Sequence, residues 1–170
     1  MKKEVQQIVS ALNRANVRYV VAGGLAVIAY GYLRLTMDVD LVVDLERENL
    51  LRALNALERV GYKPRLPVTK EAFADARTRE NWVSDKNMMV FPLWKPSDTN
   101  GIVIDIFVKC PFNFVDEYAK AKWMEIDGGP QVPFVGLDCL LKMKAAAARP
   151  KDLIDIEYLK KVRDETPAED

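Results

Sequence analysis

Three aspartates in otherwise apolar segments are the residues most able to do chemistry. Asp38 and Asp40 lie two positions apart at the start of the segment Asp-Val-Asp-Leu-Val-Val. Asp105 is the single charge in the apolar segment 102–108. Side chains two apart on a strand project from the same face, so the first two carboxylates repel each other there. A divalent cation with oxygen ligands relieves such repulsion, so the acids predict a site for Mg²⁺ or Mn²⁺.

A glycine pair stands just before these acids. Gly23 and Gly24 follow a short apolar segment, 19–22, and thirteen residues separate them from Asp38. Because glycine has no Cβ, its backbone N–H groups at the start of a helix are accessible to a phosphate. A metal site beside a phosphate site indicates phosphoryl transfer, in which two metal ions about 3.5–4 Å apart clamp the attacking and leaving oxygens.

The three acids have distinct roles in that chemistry. Asp38 and Asp40 hold both metal ions, while Asp105 ligates one and takes a proton from the attacking hydroxyl. The alternative is structural: the first two acids end a strand in solvent and Asp105 pairs with a core arginine. The glycines then form only a tight turn.

The amino-acid composition excludes several kinds of catalytic and metal site. The chain has 170 residues, 25 basic and 25 acidic, with 49% hydrophobic residues, two cysteines and no histidine. Without histidine, Ser-His-Asp and Cys-His catalysis and His-ligated zinc are excluded. Cys110 and Cys139 have no metal-ligand spacing and are expected to be free thiols of a cytoplasmic protein. We predict one domain over residues 1–170, with no membrane span.

The hydrophobic pattern alternates between helices and strands, which predicts an α/β or α+β fold with a mixed sheet. Strands are predicted at 19–22, 38–43, 88–94 and 102–108, with a hairpin at 122–126 and 131–135. Helices are predicted around Val5, Ile8, Val9 and Leu12, and at 24–32, 46–60, 69–76, 136–148 and 151–162. Gly61 is expected to end the third of these helices and Pro150 to begin the last one. The pattern leaves the strand order open.

Two motifs carry a family resemblance. The glycine pair followed by Arg-Leu-Thr-Met-Asp-Val-Asp-Leu at 34–41, with Asp105 later on its own strand, resembles the polymerase β-type nucleotidyltransferase superfamily. The Arg-x-Thr-x-Asp-x-Asp form is similar to the minimal bacterial branch that includes AbiEii-like toxins. The segments 141–144 and 149–156 are similar to the basic helix pair of that branch. The resemblance covers residues 20–160, with the C-terminal helices 136–162 packed on the domain.

The resemblance implies a small mixed sheet flanked by helices and a Mg²⁺-dependent enzyme. It would transfer an NMP from an NTP to an acceptor that is RNA or tRNA, a protein or a small molecule. A toxin–antitoxin role with a cognate antitoxin is also implied. The second glycine stands where many relatives have serine, so a hydroxyl contact to phosphate is absent. The rival hypotheses are a catalytically inactive nucleotide-binding or protein-interaction module of the same fold, and a structural α/β protein whose acids do not converge.

The resemblance also implies roles for basic residues. Gly23, Gly24, Arg34, Lys142 and Arg149 are predicted to bind the nucleotide, and the last two share a face if their helix continues. Arg34 either touches a phosphate or pairs with an active-site acid. Lys144 and Lys151 are weaker candidates, for which a solvated helix end is the alternative. Asp152 is expected to favour a helix N-terminus by its charge, and Asp155 to orient Lys142 or Arg149. Trp82, Trp94 and Trp123 are expected to pack in the core or at an edge.

Overall fold

The computed structural model describes residues 2–165, so the predicted domain 1–170 includes residues 1 and 166–170, which lie outside the described range. The helices within this range are α1 (Lys2–Arg14), α2 (Gly23–Ala29), α3 (Arg47–Arg59), α4 (Lys70–Ala74), α5 (Ala76–Lys86), α6 (Phe114–Ala119), α7 (Leu137–Ala147) and α8 (Pro150–Glu165). The strands are β1 (Tyr19–Ala22), β2 (Asp38–Val43), β3 (Lys63–Pro64), β4 (Val90–Trp94), β5 (Val103–Phe107), β6 (Lys122–Glu125) and β7 (Gln131–Phe134).

The described strands form one mixed sheet in the order β3-β4-β5-β2-β1-β7-β6. β2 is parallel to β5 and antiparallel to β1, and β1 is parallel to β7. The other neighbours pair antiparallel. The predicted mixed sheet with flanking helices is confirmed, and β2 occupies its centre. A central strand must be apolar to be covered on both faces, which Leu41, Val42 and Val43 satisfy, since all three are fully buried.

Two amphipathic helices, α1 and α3, pack against each other, and α3 also contacts β2. They bury the apolar stripes that the sequence predicts: Val5, Ile8, Val9 and Leu12 on α1, and Leu50, Leu54 and Leu57 on α3. Helix α3 begins after Glu46, whose carboxylate accepts hydrogen bonds from the backbone N–H groups of Glu48 and Asn49. Gly61 follows the helix with φ +97°, which confirms its predicted role as the helix terminator.

The last two helices, α7 and α8, form a hairpin. Pro150 is the first residue of α8, as predicted, because proline needs no intrahelical N–H partner there. Ala148 ends α7 in the left-handed region at φ 48°. The helix therefore does not continue from Lys142 to Arg149, and the shared face expected for that pair is absent.

Three elements are missing from the sequence prediction: α5, α6 and the short edge strand β3. Helix α6 buries no residue completely, so it carries no apolar stripe that periodicity could detect. Its start depends on a cap instead, since the Asn113 side chain accepts a hydrogen bond from the N–H of Asp116. Helix α5 buries only Arg79 and Trp82, and Trp82 stacks with Phe73 and Phe91, which confirms its expected core role.

Candidate active site

The three predicted acids converge at the centre of the sheet. Because β2 and β5 are parallel neighbours, Asp40 lies directly opposite Asp105, and Asp38 lies opposite Val103. One carboxylate oxygen from each of the three aspartates lies within 4.8 Å of the others, and each residue is partly buried. No ion pair joins Asp105 to an arginine within residues 2–165, so the structural alternative for that residue is not realised.

Burial and mutual repulsion make this cluster costly when it is fully ionised. Burial, followed by the charges of Asp38 and Asp105, raises the pKa of Asp40 to about 6 against the opposing effect of Lys144 and Arg149. Burial and the charge of Asp38 also raise the pKa of Asp105. The three carboxylates place their oxygens in one small region, and the ionised forms of Asp40 and Asp105 are disfavoured there. These oxygens are the donors that a hard divalent cation takes. The residues present therefore fit Mg²⁺ or Mn²⁺.

The glycine pair is required by close packing inside the site. Gly23 has φ +61°, and a Cβ built on it would lie 1.7 Å from Oδ2 of Asp40. A Cβ on Gly24 would lie 2.7 Å from both Nη2 of Arg34 and Oγ1 of Thr36. Only residues without a side chain let the start of α2 approach the carboxylate and the following loop this closely.

Thr36 is a site residue that sequence reasoning missed. Its hydroxyl occupies space beside Gly24 and donates a hydrogen bond of 2.6 Å to Oδ1 of Asp38. The available signal was the alternation before β2, where polar Arg34, Thr36 and Asp38 alternate with apolar residues. In the structure the three polar residues are at least partly buried, whereas the residues between them are exposed. This extended segment therefore presents three consecutive inward side chains to the site.

An ion-pair network centred on the buried side chains of Lys144, Asp152 and Asp155 joins the loop before β2 to the C-terminal hairpin. Nε of Arg34 lies 3.1 Å from Oδ1 of Asp155, whose Oδ2 lies 2.8 Å from Nζ of Lys144. Nζ of Lys144 lies 2.9 Å from Oδ1 of Asp152, and Nε of Arg149 lies 2.7 Å from Oδ2 of Asp152. Arg34 thus pairs with an acid of α8 and not with one of the three clustered aspartates.

The network adds to one expectation about α8 and corrects another. Asp152 lies in the first turn of α8, as expected for a charge that suits a helix N-terminus, and it is also fully buried between Lys144 and Arg149. Burial alone would raise the pKa of Asp152, but hydrogen bonds from Arg149 and Lys144 lower it to about 2. Asp155 orients Arg34 and Lys144, whereas the sequence pointed to Lys142 or Arg149.

Of the two lysines on α7, Lys144 and not Lys142 lies in the cleft with Asp40. Lys144 is 3% exposed and lines the cleft that Gly23, Asp40 and Arg149 also line, so a solvated helix end is wrong for it. Lys142 is exposed and lines a different cleft. Residues two apart on a helix point about 200° apart, so only one of this pair can face the acids. Lys151 is exposed at the start of α8, in agreement with the alternative expected for it.

The cleft beside the acids has a volume of about 260 Å³. Its polar wall contains Asp40, Lys144, Arg149 and Asp152, and its remaining wall is mostly apolar, including Met89, Phe107, Pro111 and Met143. One side can therefore hold phosphate and metal while the other contacts an uncharged part of a substrate.

The fold and the site together define the class of protein. A mixed sheet with an Asp-x-Asp pair on one strand, a third aspartate opposite it and a glycine turn against the carboxylates is the framework of a nucleotidyltransferase. Residues 10–170 match the family described as "Nucleotidyl transferase AbiEii toxin, Type IV TA system". The chain belongs to this nucleotidyltransferase family. No curated protein sequence matches it significantly.

Solved structures with this fold include antibiotic-modifying enzymes. The lincosamide antibiotic adenylyltransferase LnuA in its lincomycin-bound form has a TM-score of 0.59 and 19% identity, over 95% of this chain and 98% of that chain. The antibiotic-resistance factor ANT(2'')-Ia has a TM-score of 0.61 and 16% identity, over 95% of this chain and 86% of that chain. An antigenic nucleotidyltransferase-like protein from Paracoccidioides brasiliensis has a TM-score of 0.54 and 18% identity, over 93% of this chain and 74% of that chain. These similarities establish the fold. Within residues 2–165, no helix combines the length and apolarity that a bilayer crossing requires.

Proposed function

We propose that this protein transfers an NMP unit from an NTP to an acceptor hydroxyl or phosphate with the help of Mg²⁺ or Mn²⁺. The observation that carries the proposal is the meeting of Asp38, Asp40 and Asp105, whose carboxylate oxygens lie within 4.8 Å of one another. These three side chains would hold the metal. A bound divalent cation neutralises charge on the phosphoryl oxygens during such a transfer.

Asp105 is the proposed general base. Its raised pKa makes it a stronger proton acceptor than an exposed aspartate. The acceptor oxygen forms a bond to the α-phosphorus of the NTP and its proton passes to the Asp105 carboxylate. The bond between the α-phosphorus and the bridging oxygen breaks, and pyrophosphate leaves with that electron pair. The proton stays on Asp105 until the products depart.

The chain's own cations and N–H groups position the triphosphate. The backbone at Gly23 and Gly24 supplies N–H groups, and Lys144 and Arg149 supply positive charge in the cleft that Gly23 lines. Lys144 is held by Asp152 and Asp155, so it keeps its position before substrate binds. Arg34 acts through its ion pair with Asp155, which anchors the segment that carries Thr36. A contact between Lys142 and the triphosphate stays a prediction.

Two classes of acceptor fit the proposed transfer. The structures that share this fold include a lincomycin-bound enzyme and a complex with adenylyl-2''-tobramycin, which favours a small-molecule hydroxyl. The family description names a toxin of a toxin–antitoxin system, which favours a cellular macromolecule and a cognate antitoxin as a partner. Either acceptor would use the same three acids and the same leaving group.

The decisive experiment separates binding from turnover. Calorimetry with Mg²⁺ and a non-hydrolysable NTP is expected to show binding by the wild type and by Asp105→Asn, with weaker metal affinity in the variant. Labelled NTPs with tRNA, short RNA, protein and small-molecule acceptors are expected to give product with the wild type and at least 100-fold less with Asp105→Asn. Absence of Mg²⁺–NTP binding would contradict the proposal. Binding without turnover on any acceptor would favour the inactive nucleotide-binding module.

A further inference from the structure

The hydroxyl of Thr36 engages one of the three clustered aspartates. It donates a hydrogen bond of 2.6 Å to Oδ1 of Asp38, whereas the backbone carbonyl oxygen of the same aspartate lies 3.4 Å away. A hydroxyl has one proton to donate, so the shorter contact takes it. Lengths of about 2.5–2.7 Å are typical of a hydroxyl that donates to an ionised acceptor. Thr36 is only 7% exposed, so little water reaches this bond.

This hydrogen bond fixes the rotation of the Asp38 carboxylate. The terminal torsion of an aspartate side chain has broad minima, so a carboxylate without a partner turns easily. Threonine is branched at Cβ and stiff at χ1, which gives its hydroxyl a defined position. The ion pair between Arg34 and Asp155 holds the chain two residues before Thr36. Oδ1 of Asp38 therefore faces the threonine, which leaves Oδ2 for a ligand.

The other two acids of the cluster are not held in this way. No side chain between residues 2 and 165 donates a hydrogen bond to the carboxylate of Asp40 or Asp105. These two carboxylates can turn toward an incoming ion. Among the three clustered acids, Asp38 is thus the one whose orientation is set before an ion binds.

The absence of a side chain at Gly24 makes room for Thr36. A Cβ on Gly24 would lie 2.7 Å from Oγ1 and 3.0 Å from Cβ of Thr36, and 2.7 Å from Nη2 of Arg34. The arginine nitrogen ends a flexible side chain and can move away, whereas the two threonine atoms lie next to their own backbone. A side chain at position 24 would therefore push the hydroxyl away from Asp38.

We infer that Thr36 is a positioning residue that makes Asp38 a metal ligand through Oδ2 alone and thereby favours Mg²⁺ or Mn²⁺ over Ca²⁺. This inference rests on the proposed function, because it concerns the ion that the transfer would use. A carboxylate with one oxygen engaged by a hydroxyl does not present both oxygens to one ion. Mg²⁺ takes near-octahedral single oxygens, whereas Ca²⁺ takes about 6–8 ligands and accepts carboxylates through both oxygens.

The first test measures Mn²⁺ and Ca²⁺ affinities of the nucleotide-free protein by calorimetry. Thr36→Val keeps the branched shape without the hydroxyl, and it should weaken Mn²⁺ binding at least about 10-fold but Ca²⁺ binding less than about 3-fold. Thr36→Ser keeps the hydroxyl and should bind both ions nearly as the wild type does. Leu35→Ala, at a neighbouring position that is 89% exposed, is the control and should change neither affinity.

Two results of this test would overturn the inference. An unchanged Mn²⁺ affinity in Thr36→Val would show that the hydroxyl does not prepare Asp38 for the ion. Equal losses for Mn²⁺ and Ca²⁺ would show general damage to the site and no effect on the choice of ion. Urea denaturation in EDTA establishes that each variant is folded before its affinities are compared.

Gly24→Ala tests the same contact from the other side. Gly24 is not among the residues with positive φ, so alanine there acts through the new steric contact and not through backbone strain. This variant should also lose Mn²⁺ affinity. The double variant Gly24→Ala/Thr36→Ala should bind Mn²⁺ no more weakly than Thr36→Ala alone, because the glycine acts through the threonine. Additive losses would contradict the inference.

The Mg²⁺ dependence of transfer separates this inference from the proposed function. Thr36→Val should need at least about 10-fold more Mg²⁺ than the wild type for half-maximal nucleotidyl transfer. Transfer with the wild-type Mg²⁺ dependence in this variant would contradict only the role of Thr36. Binding of Mn²⁺ in preference to Ca²⁺ that depends on the Thr36 hydroxyl, without transfer to any acceptor, would contradict only the proposed function.

Discussion

Gly23 lies against the carboxylate of Asp40, so closely that the glycine cannot carry a side chain without displacing the acid. The backbone conformation adds a second constraint, since φ is +61° at this glycine. The turn between β1 and α2 is therefore shaped by the acid that it faces. Any phosphate that reaches the N–H groups of this turn also lies beside the proposed metal ligands.

Gly23→Ala tests this contact. The variant combines left-handed backbone strain with a steric clash, so we expect a loss of at least 2 kcal/mol in the free energy of unfolding and no detectable nucleotidyl transfer. Urea denaturation and NTP turnover provide the measurements. Gly128→Ala is the matched control: it has φ +73°, but its new Cβ would meet nothing within 4 Å, so it should cost only about 1 kcal/mol and keep activity. Equal behaviour of both variants would show that the contact with Asp40 does not matter.

Asp40→Asn is expected to stabilise the metal-free protein. The pKa of Asp40 is raised to about 6, so the folded state holds a proton more tightly than the unfolded chain, whose aspartates titrate near 3.9. Stability without metal should then fall as the pH rises from about 4 to about 6, by about 1–3 kcal/mol. Asparagine removes that loss. Thermal unfolding in EDTA should give a higher Tm for the variant at pH 7.5, and Mg²⁺ should raise the Tm of the wild type alone.

The exposed carboxylate of Glu157 on α8 provides the comparison for that experiment. Glu157→Gln should change neither the pH profile nor the response to Mg²⁺. A lower Tm for Asp40→Asn in EDTA would contradict the claim that the cluster is strained without a metal.

Lys144→Met should be among the most destabilising single substitutions in α7. It leaves Asp152 and Asp155 buried without their shared ammonium group, and breaking a buried pair in this way costs about 3–5 kcal/mol. Lys142→Met, two residues earlier, removes an exposed charge and should change stability by less than about 0.5 kcal/mol. Chemical denaturation of both variants at pH 7.5 measures the difference. Similar costs would mean that the network is not what holds the C-terminal hairpin in place.

Asp152 should contribute to stability in a pH window that follows from its low pKa. The pKa is about 2 in the folded protein, below the value near 3.9 of an unfolded aspartate. Its contribution, about 2 kcal/mol, is therefore fully present above about pH 4 and is lost as the pH falls through 2. The difference in unfolding free energy between the wild type and Asp152→Asn should be constant from pH 5 to 7 and should shrink below pH 4. Asp164→Asn, at an exposed position of the same helix, should show no such trend.

Much of the catalytic framework follows from local patterns. Alternation on a strand places Asp38 and Asp40 on one face whatever surrounds them, and the apolar neighbours of Asp105 make it a strand residue. Gly61 and Pro150 mark helix boundaries through backbone geometry alone. The chemistry of a two-metal site, which needs a further acid beside an Asp-x-Asp pair, supplied the expectation that Asp105 joins the other two, and the resemblance agreed with it.

Other features depend on pairing between distant segments. Asp105 meets Asp40 only because β5 pairs in parallel with β2 in a particular register, and a shift by one residue would turn it to the other face. Thr36 and Gly24 are linked by a contact that neither residue's own neighbours indicate. Helix α6 escaped detection because it buries no side chain completely.

The sequence alone did not decide whether Lys142 or Lys144 lies beside the acids. The chain by itself determined the acids, the glycine turn, the mixed α/β class and the presence of two C-terminal helices, since these follow from periodicity and from backbone preferences. Only the tertiary structure decided which lysine faces Asp40, that α7 stops at Ala147, and that Asp155 holds Arg34. Those outcomes depend on how a helix is rotated against a sheet, and that rotation is set by the packing of residues far apart along the chain.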